Sequence, residues 1–196
     1  MSDVKQSASW GIAKAKCKEL IVNVDGGHLP SKDKKQRSFE AMIGTAYLPS
    51  AVKVQDKYHT KITRKTCVAS AQDDKQEAMK KLFKNACLKD GMSIPTKVTA
   101  LTDGAKNCWG MVDCIDSSCH SITQVLDWFH IGKKFKEREH AIPDALKDLY
   151  HRVKWHLCHG QPEASLLRLG QLKENIANEN TLNKLKTTET YIKNNA

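Results

Sequence analysis

Two apolar runs in this chain carry the same punctuation. Residues 20–24 read Leu-Ile-Val-Asn-Val and close on Asp25-Gly26-Gly27, and residues 98–102 read Val-Thr-Ala-Leu-Thr and close on Asp103-Gly104. A short continuous apolar run bounded by turn residues is the pattern of a strand buried on both faces. Such strands demand a sheet covered by helices, and the segments between them supply one. After a lead of low apolar content over residues 1–18, a strand spans 19–24, stopped by the two glycines and Pro30, and a polar loop covers 31–37. Phe39, Ala41, Ile43, Thr45 and Tyr47 alternate on one face of the next strand. It turns at Pro49-Ser50 into a second alternating run with Val52, Val54, Tyr58 and Ile62 inward. Asp73 or Asp74 caps a helix in which Ala78, Met79, Leu82, Phe83, Ala86 and Cys87 recur at helical spacing until Asp90-Gly91. The strand 98–102 follows, then a short helix from about Ala105 with Cys108, Trp109 and Val112, then a strand 122–126 ending in Asp127. The expected order is β-β-β-α-β-α-β, an α/β chain.

From Pro143 onward the spacing is wholly helical. Ile142, Leu146, Leu149, Tyr150, Val153 and Leu157 form one stripe, Gly160-Gln161-Pro162 breaks it, and Leu166, Leu169, Leu172 and Ile176 form another, with Leu182 and Leu185 in a weaker third. The expected organisation is a lead over 1–18, a core over 19–140 and a helical subdomain over 141–196.

The chain of 196 residues carries a formal net charge of +10, which favours a polyanionic partner, with nucleic acid ahead of acidic membranes. No segment approaches the roughly 18 apolar residues of a membrane span, and the start lacks the apolar stretch of a signal peptide, so a cytoplasmic protein is expected. Seven cysteines, an odd number, then read as reduced thiols. Cys114, Cys119-His120 and Cys158-His159 are five residues from which four zinc ligands could be drawn, but at a spacing that matches no common closed site.

Asp25 and Asp103 stand out because carboxylates at the carboxyl ends of neighbouring strands cannot both remain ionised at close range without a compensating cation. A hard divalent ion such as Mg2+ supplies it through oxygen ligands. Taken singly, Asp25-Gly26-Gly27 is also a turn and Asp103-Gly104 a helix cap. Asp127-Trp128-Phe129-His130 sets an acid and an imidazole three residues apart where a strand passes into a helix. It reads either as a cap with a half-buried histidine or as a group orienting metal-bound carboxylates. Trp128 serves core packing or stacks on an unpaired base. Lys53, Lys57, Lys61 and Lys65 fall on the outward face of the second alternating run, as an edge-strand guard or a DNA track. Lys133, Lys134, Lys136 and Arg138 form a second basic cluster, a solvated helix face or a phosphate contact.

These residues resemble a family. The element order with acids after the first and fourth strands is similar to the ribonuclease-H-like core of DDE transposases, and Asp127-Trp128-Phe129-His130 resembles the D/C-x-x-H motif of the Mutator-related group. More closely, 22–27, Leu101-Thr102-Asp103-Gly104-Ala105 with Trp109, and 126–130 resemble insertion-sequence transposases of the ISKra type, over roughly residues 19 to 195. The resemblance implies a mixed sheet followed by an α-helical insertion subdomain. It also implies Asp25 and Asp103 as catalytic acids holding Mg2+ or Mn2+, with Asp127 and His130 as accessories, and DNA at transposon ends as partner. Relatives continue past a segment like Asn194-Asn195 into a Gly-rich stretch and a helix bearing a third, glutamate ligand. The expectation is therefore a core truncated at both ends relative to the family, feeble in strand transfer alone, with a complementing C-terminal fragment or a homo-oligomer as further partners. Glu174, Glu179 and Glu189 match no family motif. The alternatives are a non-catalytic DNA-binding remnant or regulator, and a ribonuclease-H-like nuclease outside transposition.

Overall fold

The computed structural model describes residues 15–32, 38–57, 59–72 and 74–195. The chain divides into two compact units, one drawn from residues 1–101 and 106–125, the other from 102–105 and 126–196.

The first unit is built on strands β1 (Glu19–Pro30), β2 (Ser38–Tyr47), β3 (Val52–Val54), β4 (Thr60–Ile62), β5 (Thr66–Ser70), β6 (Lys97–Thr102) and β7 (Ser121–Leu126), with helices α1 (Glu77–Lys89) and α2 (Lys106–Asp113). Five of the strands form one sheet in the order β5-β2-β1-β6-β7, and β3 with β4 makes a separate small hairpin. β2 runs antiparallel to both β1 and β5. Like ends meet on the other side: the Lys97 N–H donates to the Lys18 carbonyl at 2.9 Å, and the His120 N–H to the Thr96 carbonyl at 2.8 Å. The sheet is therefore mixed; the expected third strand is instead the separate β3–β4 hairpin, and the strand that joins the sheet before α1 is β5, which sequence reasoning missed.

Leu20, Val22 and Val24 of β1 are buried with Val98 and Ala100 of β6, Met79 and Phe83 of α1, and Met111 and Val112 of α2. Apolar spacing at i, i+4 and i+7 turns one face of α1 onto the sheet, and each large side chain buried this way contributes on the order of 2 kcal/mol. Helix and strand touch at Gly44, where an added Cβ would stand 2.6 Å from Phe83 Cδ2. The helix starts at Glu77, later than a cap at Asp74 would place it: Gln76, in the left-handed conformation, stands at the cap without a side-chain bond, and the Asp74 carboxylate, from further back in the chain, accepts the Ala78 N–H at 2.8 Å. Asp73, the other candidate cap, lies outside the described residues.

Three expectations are corrected. Gly26-Gly27 do not end β1. The strand runs on to Pro30 because β2 offers a partner to each residue from Ile21 to Pro30, Gly26 opposite Met42 and Gly27 opposite Ala41. The buried face of β2 is the one bearing Met42, Gly44 and Ala46, while Ile43 is 51% exposed. The second alternating run is not one strand. Asp56 folds it back by accepting the His59 N–H at 3.0 Å, so Lys53 on β3 and Lys61 on β4 stand directly opposite each other. Lys57 falls in the bend between them and Lys65 between β4 and β5, which removes the straight basic lane. Val54, read as inward, is 75% exposed: among the described residues nothing covers its side chain. Tyr58 and the loop residues 33–37 lie outside the described residues.

The second unit is helical: α3 (Trp128–Glu139), α4 (Lys147–Cys158), α5 (Pro162–Glu174) and α6 (Glu179–Asn195). Its core joins Ile131 and Phe135 of α3 to Tyr150 and Val153 of α4, Leu169 and Leu172 of α5, and Leu185 and Ile192 of α6. Pro162 opens α5, where its missing N–H has no intrahelical role. Two buried hydroxyls pin neighbouring helices to carbonyls: Tyr150 Oη donates to Phe135 O at 2.7 Å and Ser165 Oγ to Val153 O at 2.9 Å. Burial pushes the Tyr150 phenol well above its ordinary value. Among the described residues no helix is long and apolar enough to cross a membrane.

Candidate active site

In the first unit Asp25 sits inside β1 rather than at its end, opposite Ile43 of β2. The alternation of the strand sets it on the face shared with Ile21 and Asn23, away from the buried Val22 and Val24. The side chain is exposed, and its Oδ1 accepts the N–H of Gly26 at 2.8 Å. The opposite face of the same hairpin bears an acid that sequence reasoning missed. Glu40, across from His28, accepts a hydrogen bond from Asn107 Nδ2 and lines a cavity of about 450 Å³ with Ser38, Gln72 and Lys75. Nothing in the spacing of Glu40 distinguishes it from a surface glutamate, because its partner is 67 residues away.

The second unit gathers the other candidates. The end of β6 leads into Asp103-Gly104, and the end of β7 into Asp127; the Asp127 N–H donates to the Thr102 carbonyl at 2.8 Å and ties the two ends together. Asp103 Oδ1 accepts the Ala105 N–H at 2.9 Å. Gly104 takes φ +84°, and a Cβ there would stand 2.7 Å from Asn195 Oδ1 and 2.9 Å from Leu126 Cδ2, so the turn admits glycine alone without rearrangement. Asp127 has extended backbone and caps α3, its Oδ1 accepting the Phe129 N–H at 2.9 Å. Its Oδ2 lies 3.7 Å from His130 Nε2. The motif thus serves as a helix cap and an acid–imidazole pair at once.

Tyr191, on α6, completes this cluster. Its hydroxyl donates to the Asp103 carbonyl at 2.8 Å. Its phenol is pushed up to about 12, first by burial and then by the negative charges of Asp103 and Asp127. Both carboxylates therefore bear on one phenol. The Lys134 ammonium sits 5.1 Å from the Tyr191 ring centroid, which puts one residue of the expected basic cluster against this phenol. No sequence signal marks Tyr191, because 88 residues separate it from Asp103 and its own helix explains its apolar spacing. Lys133, Lys136 and Arg138 lie along α3; Arg138 donates to the Lys134 carbonyl at 3.0 Å. Glu189 is held in ion pairs by Lys173 and by Lys193, which keep its carboxyl below the usual range.

Among the described residues, no three or more His, Cys, Asp or Glu side chains gather where they would hold a metal ion. Within the first unit, Cys114 donates to the Lys80 carbonyl and the buried Cys119 to the Asp116 carbonyl; burial, the largest cause, raises both thiols. The acids of the second unit fit a hard cation in chemistry. Each spends one oxygen on a backbone N–H, and carboxylate oxygens keep further lone pairs for a divalent ion. Comparison with family models, curated proteins and solved structures found no match.

Proposed function

We propose that this chain is the catalytic core of a ribonuclease-H-like transposase of the insertion-sequence type, acting on DNA phosphodiesters with Mg2+ or Mn2+. The observation that carries this is the strand order β5-β2-β1-β6-β7, three strands then two, with β2 alone reversed and an acid on β1, after β6 and after β7. Ligands in sheets with parallel strands bind beyond the strands' carboxyl ends, where Asp103 and Asp127 stand. Asp25 and Asp103 are the acids assigned to metal, Asp127 and His130 the accessories. Tyr191 holds the Asp103 turn through its hydroxyl, and its neutral phenol adds no third negative charge beside the two carboxylates.

A bound Mg2+ or Mn2+ would supply Lewis-acid stabilisation of a phosphodiester under attack. The protein's share is to present carboxylates, with Lys134 and its neighbours on α3 near the phosphate path. Few protein ligands make such a site weak, because Mg2+ held by one or two carboxylates keeps several waters and relies on substrate phosphates. Slow nicking of DNA in MnCl2 is therefore expected, abolished by EDTA and reduced at least about tenfold by Asp25→Asn or Asp103→Asn. Cleavage that Asp25→Asn leaves unchanged would refute the assignment.

A second reading is supported by the lack, among the described residues, of a gathered three-donor metal group. In it the chain is a DNA-binding regulator without chemistry. Its signature is salt-sensitive DNA binding, indifferent to EDTA, with no cleavage in Mn2+.

A further inference from the structure

Helix α3 carries an aromatic that no part of the core uses. Phe129 is 70% exposed beside the partly exposed Trp128, although apolar rings of this size are ordinarily covered. Both line a cleft of about 470 Å³ whose other walls are Gly132, Lys133 and Lys136 of α3 and Lys154 of α4. Phe129, Lys133 and Lys136 follow one another at helical spacing, so ring and ammonium groups share one face. Glu139 is the acid on the rim, and it is engaged: His151 Nε2 lies 2.9 Å from its Oε1, and this hydrogen bond, ahead of charge effects, holds its carboxyl below the usual range.

Gly132 keeps the cleft open. A Cβ there would meet no atom within 4 Å, so the helix pays its usual glycine cost of about 1 kcal/mol with no close packing to require it. An aromatic face with lysines around it and an unobstructed floor complements a flat, π-faced ligand carrying phosphate. A base stacked within a duplex has both faces covered by its neighbours, so only a base out of its stack can lay a face on the ring.

We propose that the Phe129 cleft is a stacking platform for an unpaired base of single-stranded DNA, with Lys133, Lys136 and Lys154 contacting the flanking phosphates. This deepens the nucleic-acid reading above and rests on it for the class of partner, but it invokes no metal. The test is fluorescence anisotropy of a labelled oligothymidylate against the full chain in EDTA at low salt, so that loss of metal-dependent cleavage and loss of stacking are read separately. Binding to the oligonucleotide is expected to fall roughly tenfold or more in Phe129→Ala. It should fall comparably in Gly132→Leu, which fills the cleft while its helix melts no lower than the wild type. Wild-type affinity in both variants, or binding tenfold tighter to a blunt duplex or to oligouridylate, would overturn the proposal.

Discussion

Asp127 holds two jobs that substitution can separate. Its Oδ1 caps α3 at 2.9 Å from the Phe129 N–H, and its Oδ2 faces His130 at 3.7 Å. Asparagine retains the capping oxygen and the extended backbone preference but loses the charge, whereas alanine loses both. Removing an N-cap costs about 1 kcal/mol, while Asp-to-Asn exchange at a cap is close to neutral. The charge itself adds about 0.3–1 kcal/mol at a helix N-terminus, and less where, as here, the carboxylate is 42% exposed. Asp127→Ala is therefore expected to lose about 1.5 kcal/mol, or about 3–6 °C in melting temperature for a chain of this size, and Asp127→Asn no more than about 0.5 kcal/mol. Urea and thermal unfolding followed by circular dichroism measure both. If the carboxylate also serves the site, Asp127→Asn loses Mn2+-dependent nicking at near-wild-type stability. Equal destabilisation by the two variants would refute the capping argument, and wild-type nicking by Asp127→Asn would reduce the motif to a cap.

Three further outcomes follow from named contacts. Tyr191 has its phenol raised from 10.0 to about 12, so it stabilises fully below pH 10 and that contribution is lost as pH rises from 10 towards 12. Tyr191→Phe should flatten the decline of the urea midpoint across that window while lowering stability by about 1 kcal/mol at pH 7 through the unpaired Asp103 carbonyl. Gly104→Ala forces a left-handed φ on a side chain and crowds Asn195 and Leu126, so a loss of about 2 kcal/mol or more is expected in the same assay. Lys61→Ala relieves a like-charge pair with Lys53 and should leave stability unchanged or slightly higher. It should also weaken DNA binding and reduce the salt slope by about one, read from anisotropy across a salt series.

β1 and β6 were legible because a buried strand writes an uninterrupted apolar run, and the helices because each writes a 3.6-residue stripe; β5 was not, because its alternation of half-buried and exposed residues makes no such run. Asp103 and Asp127 were legible as strand-to-helix or cap positions because short polar side chains at such boundaries satisfy backbone donors. What escaped was decided by partners distant in sequence. Gly26 and Gly27 read as a stop, yet an adjacent strand that pairs with each of them extends β1 to Pro30. The run after Pro49 alternates well enough for one strand, but the Asp56–His59 turn folds it into a hairpin, and alternation alone carries no record of that. Glu40 with Asn107, and Tyr191 with Asp103, are contacts across 67 and 88 residues, and local pattern holds no information about them.

The measurement that bears most directly on the proposed chemistry is an electron paramagnetic resonance titration of Mn2+ into the full chain in the presence of a short DNA duplex. Two carboxylates assigned to metal predict saturable binding that weakens at least about tenfold in Asp25→Asn and in Asp103→Asn. Mn2+ binding that neither substitution changes, or DNA binding with no bound Mn2+ at all, would contradict it.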